Sequence, residues 1–194
     1  MKHIGYYVLI TVIGASVLAG ICYAADFSAD IISSAPEGTF KAKMYVSQDK
    51  SRTDVEGTST IARMDKHIIW VLMKDQKMYM EQPLDVRTAV SVSDKVDGEI
   101  SRTAEGREKI NGMACTKYRV EFESRGIKTA IFQWIDDSHH VPVKTAAIDG
   151  SWSSEFKDIR IGPQDPALFE IPAGYKKFAV PTMDDISAMM RDAE

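Results

Sequence analysis

Cysteine and histidine, which supply many metal sites and catalytic centres, are scarce in this sequence. Its 194 residues include two cysteines and four histidines. Cys22 lies at the end of an apolar leader, so Cys115 is the only thiol in the chain that follows it. A lone thiol excludes an internal disulfide, and the fold must rest on a packed core. We interpret Cys115 as a small residue on a half-buried strand rather than as a redox or nucleophilic site.

Motifs that would indicate an enzyme are also missing. The sequence has no H-E-x-x-H zinc motif, no G-x-S-x-G elbow, no P-loop and no dinucleotide fingerprint. Residues 136–140 (DDSHH) could hold a divalent metal, but we interpret them as a polar loop between two strands. We therefore predict a non-enzymatic protein with no catalytic residue, no bound metal and no cofactor. Its net charge of −4 and lack of a basic patch argue against nucleic acid as a partner.

The first 24 residues have the pattern of a secretory signal peptide. A basic start at Lys2 is followed by an apolar, uncharged run over residues 4–21. The small residues Cys22 and Ala24 then provide a cleavage site between Ala24 and Ala25. We therefore predict a periplasmic protein that consists of residues 25–194.

Two other readings of this leader stay open. A lipoprotein signal would place Gly, Ala or Ser directly before Cys22, where this chain has Ile21, so lipidation of Cys22 is disfavoured. An apolar run of this length could also remain uncleaved as a membrane anchor. Either alternative would tether the protein to a membrane.

Alternating hydrophobicity dominates the rest of the chain. Phe40, Ala42, Met44 and Val46 alternate with polar or charged neighbours, a period of two that predicts a strand with one solvated face. Residues 68–73 are apolar throughout, which predicts a strand covered on both faces. Similar patterns predict about nine antiparallel strands joined mostly by short turns.

Three helices are predicted beside these strands. Residues 26–34 place Phe27, Ile31 and Ile32 on one side of a short helix, and residues 85–95 fit a helix less well. A C-terminal amphipathic helix over residues 179–194 has its apolar stripe made by Met183, Ile186, Met189 and Met190. This last helix could dock on the domain or remain free for a membrane or partner.

Three groups of residues carry a resemblance to a known family. They are residues 69–81 (IWVL…MYME), residues 109–118 (KING…CTKY) and residues 168–175 (LFEIPAGY), in this order along the chain. In these pieces, and over residues 26–178 as a whole, the sequence resembles an uncharacterised, domain-of-unknown-function branch of the LolA-like superfamily of bacterial envelope proteins.

The resemblance implies a mainly β (α+β) fold for residues 25–178, in which a strongly curved antiparallel sheet forms an unclosed half-barrel covered by a few helices. Well-studied members of the superfamily carry lipoprotein acyl chains, and others bind glycolipids or sense envelope stress. The resemblance therefore implies a hydrophobic ligand held in the concave face. We expect residues 84–107 to form a loop that covers this face.

Large apolar and flexible side chains at period-two positions are the candidates to line such a cavity. They are Phe40, Met44, Trp70, Leu72, Met78, Met80, Tyr118, Phe122, Phe132 and Trp134. The leading hypothesis is a periplasmic protein that binds an acyl chain or similar ligand, with at most transient membrane contact. The alternative is an envelope interaction or stress-sensor module whose core is filled by its own side chains and which binds a protein partner.

Overall fold

One twelve-stranded sheet makes up most of the described chain. The computed structural model describes residues 26–84, 95–124 and 126–178. The strands are β1 Phe27–Ala35, β2 Gly38–Ser47, β3 Lys50–Val55, β4 Thr58–Arg63, β5 Ile68–Met73, β6 Met78–Pro83, β7 Glu99–Ile110, β8 Met113–Ser124, β9 Ile127–Asp136, β10 Pro142–Ala147, β11 Ser153–Ile161 and β12 Lys176–Lys177. Two 3-10 turns, Met64–Lys66 and Pro166–Phe169, complete the described elements.

The sheet is curved and open. Its spatial order is β12-β6-β5-β4-β3-β2-β1-β11-β10-β9-β8-β7, and its two edges, β12 and β7, do not pair with each other. All neighbouring strands are antiparallel except β12, which runs parallel to β6. The predicted mainly β, unclosed architecture is confirmed. Short turns join most sequential strands, so β1 to β6 form one run of adjacent strands and β7 to β11 form another. The pairing of β1 with β11 joins the two runs.

The predicted N-terminal helix is wrong, because residues 27–35 form strand β1 in the middle of the sheet. Phe27, Ala29 and Ile31 are buried in alternation, which is the strand period. Phe27 and Ile31 also fit a helical spacing of four, so the short segment satisfied both patterns. Pairing with β2 on one side and β11 on the other decides between them.

The predicted covering loop over residues 84–107 is also wrong in its second half. Residues 99–110 form β7, a twelve-residue strand at one edge of the sheet. Its residues are mostly exposed and many are charged, so it lacks the apolar alternation that identifies a half-buried strand. Charged residues on an edge strand hinder pairing with other chains.

Strand β5 is covered more completely on one face than on the other. Trp70 and Leu72 are buried, whereas Ile69, Val71 and Met73 are half-buried. The described residues contain no α-helix. The helix predicted at residues 85–95 lies outside them except for its last residue, and the leader and the helix predicted at residues 179–194 lie outside them entirely. No helix long and apolar enough to cross a membrane occurs in the part of the chain that the structure describes.

Candidate functional site

The register of the strands sorts the ten predicted residues onto two faces of the sheet. Residues directly opposite one another on antiparallel strands project from the same face. One such row runs Met44, Thr53, Thr60, Val71 and Met80 across β2 to β6. We call the face that carries this row the Met44 face, and the opposite one the Trp70 face.

Six of the predicted residues project from the Met44 face, and the other four project from the Trp70 face. The six are Phe40, Met44, Met78, Met80, Tyr118 and Phe122. The four on the Trp70 face are Trp70, Leu72, Phe132 and Trp134. The ten side chains therefore cannot line one cavity. Periodicity within each strand could not reveal this, because the sequence does not state how neighbouring strands are aligned.

Trp70 and Leu72 are covered by the chain that follows β11. Phe169, at the end of the second 3-10 turn, is 1% exposed and packs against both residues and Ile61. The indole nitrogen of Trp70 donates a hydrogen bond to Glu81 at 3.0 Å. We call residues 165–177, which cross this half of the Trp70 face, the C-terminal strap. Its packing leaves the two predicted residues in a self-filled core.

Arg63 is the main polar anchor of the C-terminal strap. Its side chain is 5% exposed, donates to the carbonyl oxygen of Phe169 at 3.1 Å and pairs with Asp65 at 2.6 Å and with Glu170. The hydrogen bond to Asp65 raises the pKa of Arg63, and the same bond lowers the pKa of Asp65. Arg52 donates to the carbonyl of Leu168 at 3.0 Å. Two guanidinium groups thus satisfy carbonyls at the end of the 3-10 turn, and neither was identified from the sequence.

The far end of the strap is fixed at the sheet edge. Lys177 forms an ion pair with Glu81 at 2.7 Å, and its hydrogen bond lowers the pKa of that carboxyl group. The backbone nitrogen of Phe178 donates to the carbonyl of Tyr79 at 2.7 Å. Packing of the strap therefore explains residues 168–175, one of the three groups that carry the family resemblance.

Phe132 and Trp134 belong to a second self-filled cluster on the Trp70 face. Their rings meet edge-on with centroids 6.0 Å apart, and the ammonium group of Lys117 lies 3.9 Å from the centroid of Phe132. The Trp134 indole donates to Glu108 at 3.0 Å. Ile110 and Met113, from the β7–β8 turn, pack on this cluster. These two aromatic residues are therefore engaged by their own domain.

The turn between β7 and β8 is shaped by Asn111 and Gly112. Both have positive φ angles, 49° and 85°, as a two-residue hairpin of this type requires. The Asn111 side chain also donates to Glu155 at 2.8 Å and to the carbonyl of Phe156 at 2.9 Å. These bonds hold the hairpin tip over β11. They give a structural reason for residues 109–112, part of the second group that carries the family resemblance.

The Met44 face has a buried centre and half-buried wings. Its central cluster contains the side chains of Phe27, Ala29, Ile31, Ala42, Met44 and Val46, with Val141 packed beside them. Toward β6, Met78 and Met80 are half-buried, and toward β7 so are Tyr118 and Phe122. These wing residues combine apolar surface with partial accessibility, which is the property expected of a binding surface.

Among the residues that the structure describes, two buried polar atoms on the Met44 face lack hydrogen-bond partners. They are the hydroxyl oxygen of Thr53 and the side-chain carbonyl oxygen of Gln133. Gln133 is 5% exposed and lies in β9 directly opposite Tyr118 in β8. Buried polar groups are nearly always hydrogen-bonded, so each of these exceptions requires an explanation. Neither residue stands out in the sequence.

The Asp136–His140 loop is organised by its own side chains. The Asp136 carboxylate lies 2.8 Å from the Nδ1 atom of His139 and accepts from the backbone nitrogen of the same residue at 2.7 Å. Thr116 donates to Asp137 at 2.6 Å. Within the described ranges no three His, Cys, Asp or Glu side chains are grouped to hold a metal ion. These contacts give the loop a structural role.

Cys115 has the environment of a packed core residue. Its side chain is fully buried in β8, beside Trp134 and Val143. Burial raises the pKa of the Cys115 thiol, so the reactive thiolate is disfavoured. The position therefore has none of the features that activate a nucleophilic cysteine.

A family model identifies the chain. A domain of unknown function, DUF4412, matches residues 29–135. The chain belongs to the DUF4412 family. All ten predicted site residues lie within the matched span, whereas the C-terminal strap follows it. A search of curated proteins finds no match to this DUF4412 chain.

Solved structures with a similar fold include a lipoprotein, a LolA superfamily protein and a complex of two proteins. The Pseudomonas aeruginosa MucA/MucB complex structure matches with 11% identity over 82% of this chain and 60% of that chain, at a TM-score of 0.54. Mycobacterium tuberculosis lipoprotein LppX is 17% identical over 71% of this chain and 88% of its own, at a TM-score of 0.43. A LolA superfamily protein from Nitrosomonas europaea is 11% identical over 78% and 92% of the two chains, at a TM-score of 0.33.

The matched family is a domain of unknown function, and the resemblance to LolA-like proteins predicted from the sequence is confirmed as a similarity of fold. The DUF4412 chain spans 33% of another matched structure, that of PNGF-II, and 60% of the matched MucA/MucB chain. At these identities the similarity describes the fold.

Proposed function

We propose that this DUF4412 protein is a non-enzymatic protein of the bacterial periplasm that binds an acyl chain or another hydrophobic ligand on the Met44 face. Export would use residues 1–24 as a signal peptide, cleaved between Ala24 and Ala25. The helices predicted at residues 85–95 and 179–194 form part of the same proposal, as elements that cover the sheet.

The half-buried wings of the Met44 face are the observation that carries this proposal. Met78 and Met80 at one wing, and Tyr118 and Phe122 at the other, flank a buried apolar centre. Methionine side chains are unbranched and polarizable, so they adapt to a flexible chain. The open sheet provides this surface without the closure that a complete barrel would impose.

The hydrophobic effect is large enough to drive such binding. Each methylene removed from water contributes about 0.8 kcal/mol, so covering ~10 methylenes supplies about 8 kcal/mol before the costs of association. A gain of that size corresponds to roughly micromolar affinity. The loss of ligand flexibility on binding makes the actual affinity weaker than this. Stable retention of a ligand therefore requires a long chain, two chains or additional polar contacts.

A fluorescent fatty acid tests the proposal directly. We expect cis-parinaric acid to increase in fluorescence and to saturate when titrated with the purified protein. Met80→Glu places a charge on the half-buried wing and should abolish the signal, because an ionised carboxylate beside an alkyl chain loses hydration. Ile148→Glu, in the exposed turn after β10, is the matched control and should bind normally. Equal binding by all three proteins would refute the assignment to this face.

The alternative function, an envelope interaction or stress-sensor module, has its own support. The Trp70 face is self-filled at both wings, and the MucB structures that share this fold are complexes with MucA. This alternative predicts no uptake of cis-parinaric acid by the wild-type protein. It also predicts that chemical cross-linking in the host envelope yields a defined complex with a second protein.

A further inference from the structure

A row of polar side chains crosses the Met44 face beside its apolar centre. Tyr118, Gln133, Thr145, Ser154 and Ser33 lie directly opposite one another on β8, β9, β10, β11 and β1. All five therefore project from the same face, in one line across five adjacent strands. None of the five carries a charge.

The hydrogen bonding along this polar row is incomplete. At one end, Ser33 donates to Ser154 at 2.9 Å, so that pair satisfies itself. Further along, the side-chain carbonyl oxygen of Gln133 is buried and has no partner within the described part of the chain, although Tyr118 and Thr145 flank it. A buried amide oxygen without a partner destabilises the folded protein unless a bound molecule supplies a donor.

We propose that Gln133 is the polar contact of the ligand site and that it binds the hydroxyl or amide group of an uncharged amphiphile. This inference rests on the proposed function, because the alkyl part of the same ligand would lie along the apolar part of the Met44 face. A glutamine amide both donates and accepts, and so do hydroxyl and amide groups, so the two match in either orientation of the side chain.

The charges near the row favour an uncharged ligand group. Arg102 lies with its guanidinium 5.0 Å from the Tyr118 ring, but it is bonded to Glu99 at 2.9 and 2.8 Å. That pair is neutral overall and offers no net charge to a carboxylate or phosphate. With this neutral pair beside the row, burial of an ionised group next to Gln133 would cost hydration. A hydroxyl or amide group avoids this cost.

A competition experiment with a matched set of twelve-carbon probes tests the inference. Monolaurin, laurate and dodecane share the chain length and differ in the head group, and each is used to displace cis-parinaric acid. The wild-type protein should bind monolaurin most tightly. Gln133→Leu should weaken monolaurin about tenfold and leave dodecane unchanged, since one hydrogen bond is lost and apolar area is retained.

The control is Gln82→Leu, which removes an exposed glutamine on β6 that also projects from the Met44 face. It should change the affinity for neither monolaurin nor dodecane. If Gln133→Leu fails to fold, Thr145→Val changes the adjacent position of the row and should also weaken monolaurin selectively. Equal effects of Gln133→Leu on monolaurin and dodecane, or no effect on either, would overturn the inference and assign the amide to an internal water. Failure of the wild-type protein to bind any probe would instead refute the proposed function itself.

Discussion

Truncation of Phe169 tests whether the C-terminal strap is part of the hydrophobic core. The side chain is 1% exposed and packs on Ile61, Trp70 and Leu72. Its transfer to water costs about 1.5–3 kcal/mol, and the cavity that remains adds to this, so Phe169→Ala should lower the free energy of unfolding by about 3–5 kcal/mol. The loss is a large part of the stability of an ordinary domain.

Urea unfolding followed by two probes measures this effect. Far-UV circular dichroism reports the whole sheet. Tryptophan fluorescence reports Trp70, Trp134 and Trp152 together, and of these Trp70 lies beneath the strap. Leu168→Ala, at a half-buried neighbouring position, is the matched control and should cost about 1–2 kcal/mol. If Phe169→Ala cost no more than Leu168→Ala, the strap would not contribute to the core in the way that its burial indicates.

Two further predictions concern backbone geometry and pH. Gly98 has φ +70°, and an added Cβ atom would lie 2.2 Å from the carbonyl oxygen of Glu123. Gly98→Ala should therefore lower the free energy of unfolding by more than about 2 kcal/mol. At Gly112, φ is +85° with open space around an added Cβ atom, so Gly112→Ala should lower the free energy of unfolding by only about 1 kcal/mol in urea unfolding. Equal losses for the two variants would exclude the clash at Gly98. The lowered pKa of Asp65 stabilises the fold above the ordinary aspartate range, and that stability is lost as the pH falls through the folded-state pKa. Asp65→Asn should therefore be less stable than wild type at pH 7, because its bond to Arg63 is weakened. The urea midpoints of the two proteins should converge as the pH falls through the lowered pKa of Asp65, and a difference that stays constant with pH would contradict this.

The sequence predicted those elements whose signals are local. The alternation in β2 placed Ala42, Met44 and Val46 on one buried face, as the structure shows. The Asn111-Gly112 pair also has a local signal for a tight hairpin, because both residues tolerate positive φ, although no turn was predicted there. Period and turn chemistry are properties of short segments, so they can be interpreted without knowledge of the rest of the fold.

Features set by long-range pairing could not be predicted in the same way. Strand β1 fits both a helical and a strand period, and its position between β2 and β11 decides the outcome. Trp70 and Met80 lie on neighbouring strands but project from opposite faces, which depends on the alignment of β5 with β6. Gln133 is an ordinary glutamine in the sequence, and its significance comes from burial without a partner. The sequence therefore supplied candidate residues for a site, but not the face of the sheet on which each of them lies.

Native mass spectrometry of the protein purified from its host envelope without detergent tests the central proposal most directly. We expect a chain of residues 25–194 that carries a lipid-sized mass, and this mass should dissociate on collisional activation. Met80→Glu should lose the bound mass, and Ile148→Glu should retain it. A wild-type protein free of ligand, under conditions in which a known lipid binder keeps its own, would contradict the binding function and favour the protein-partner alternative.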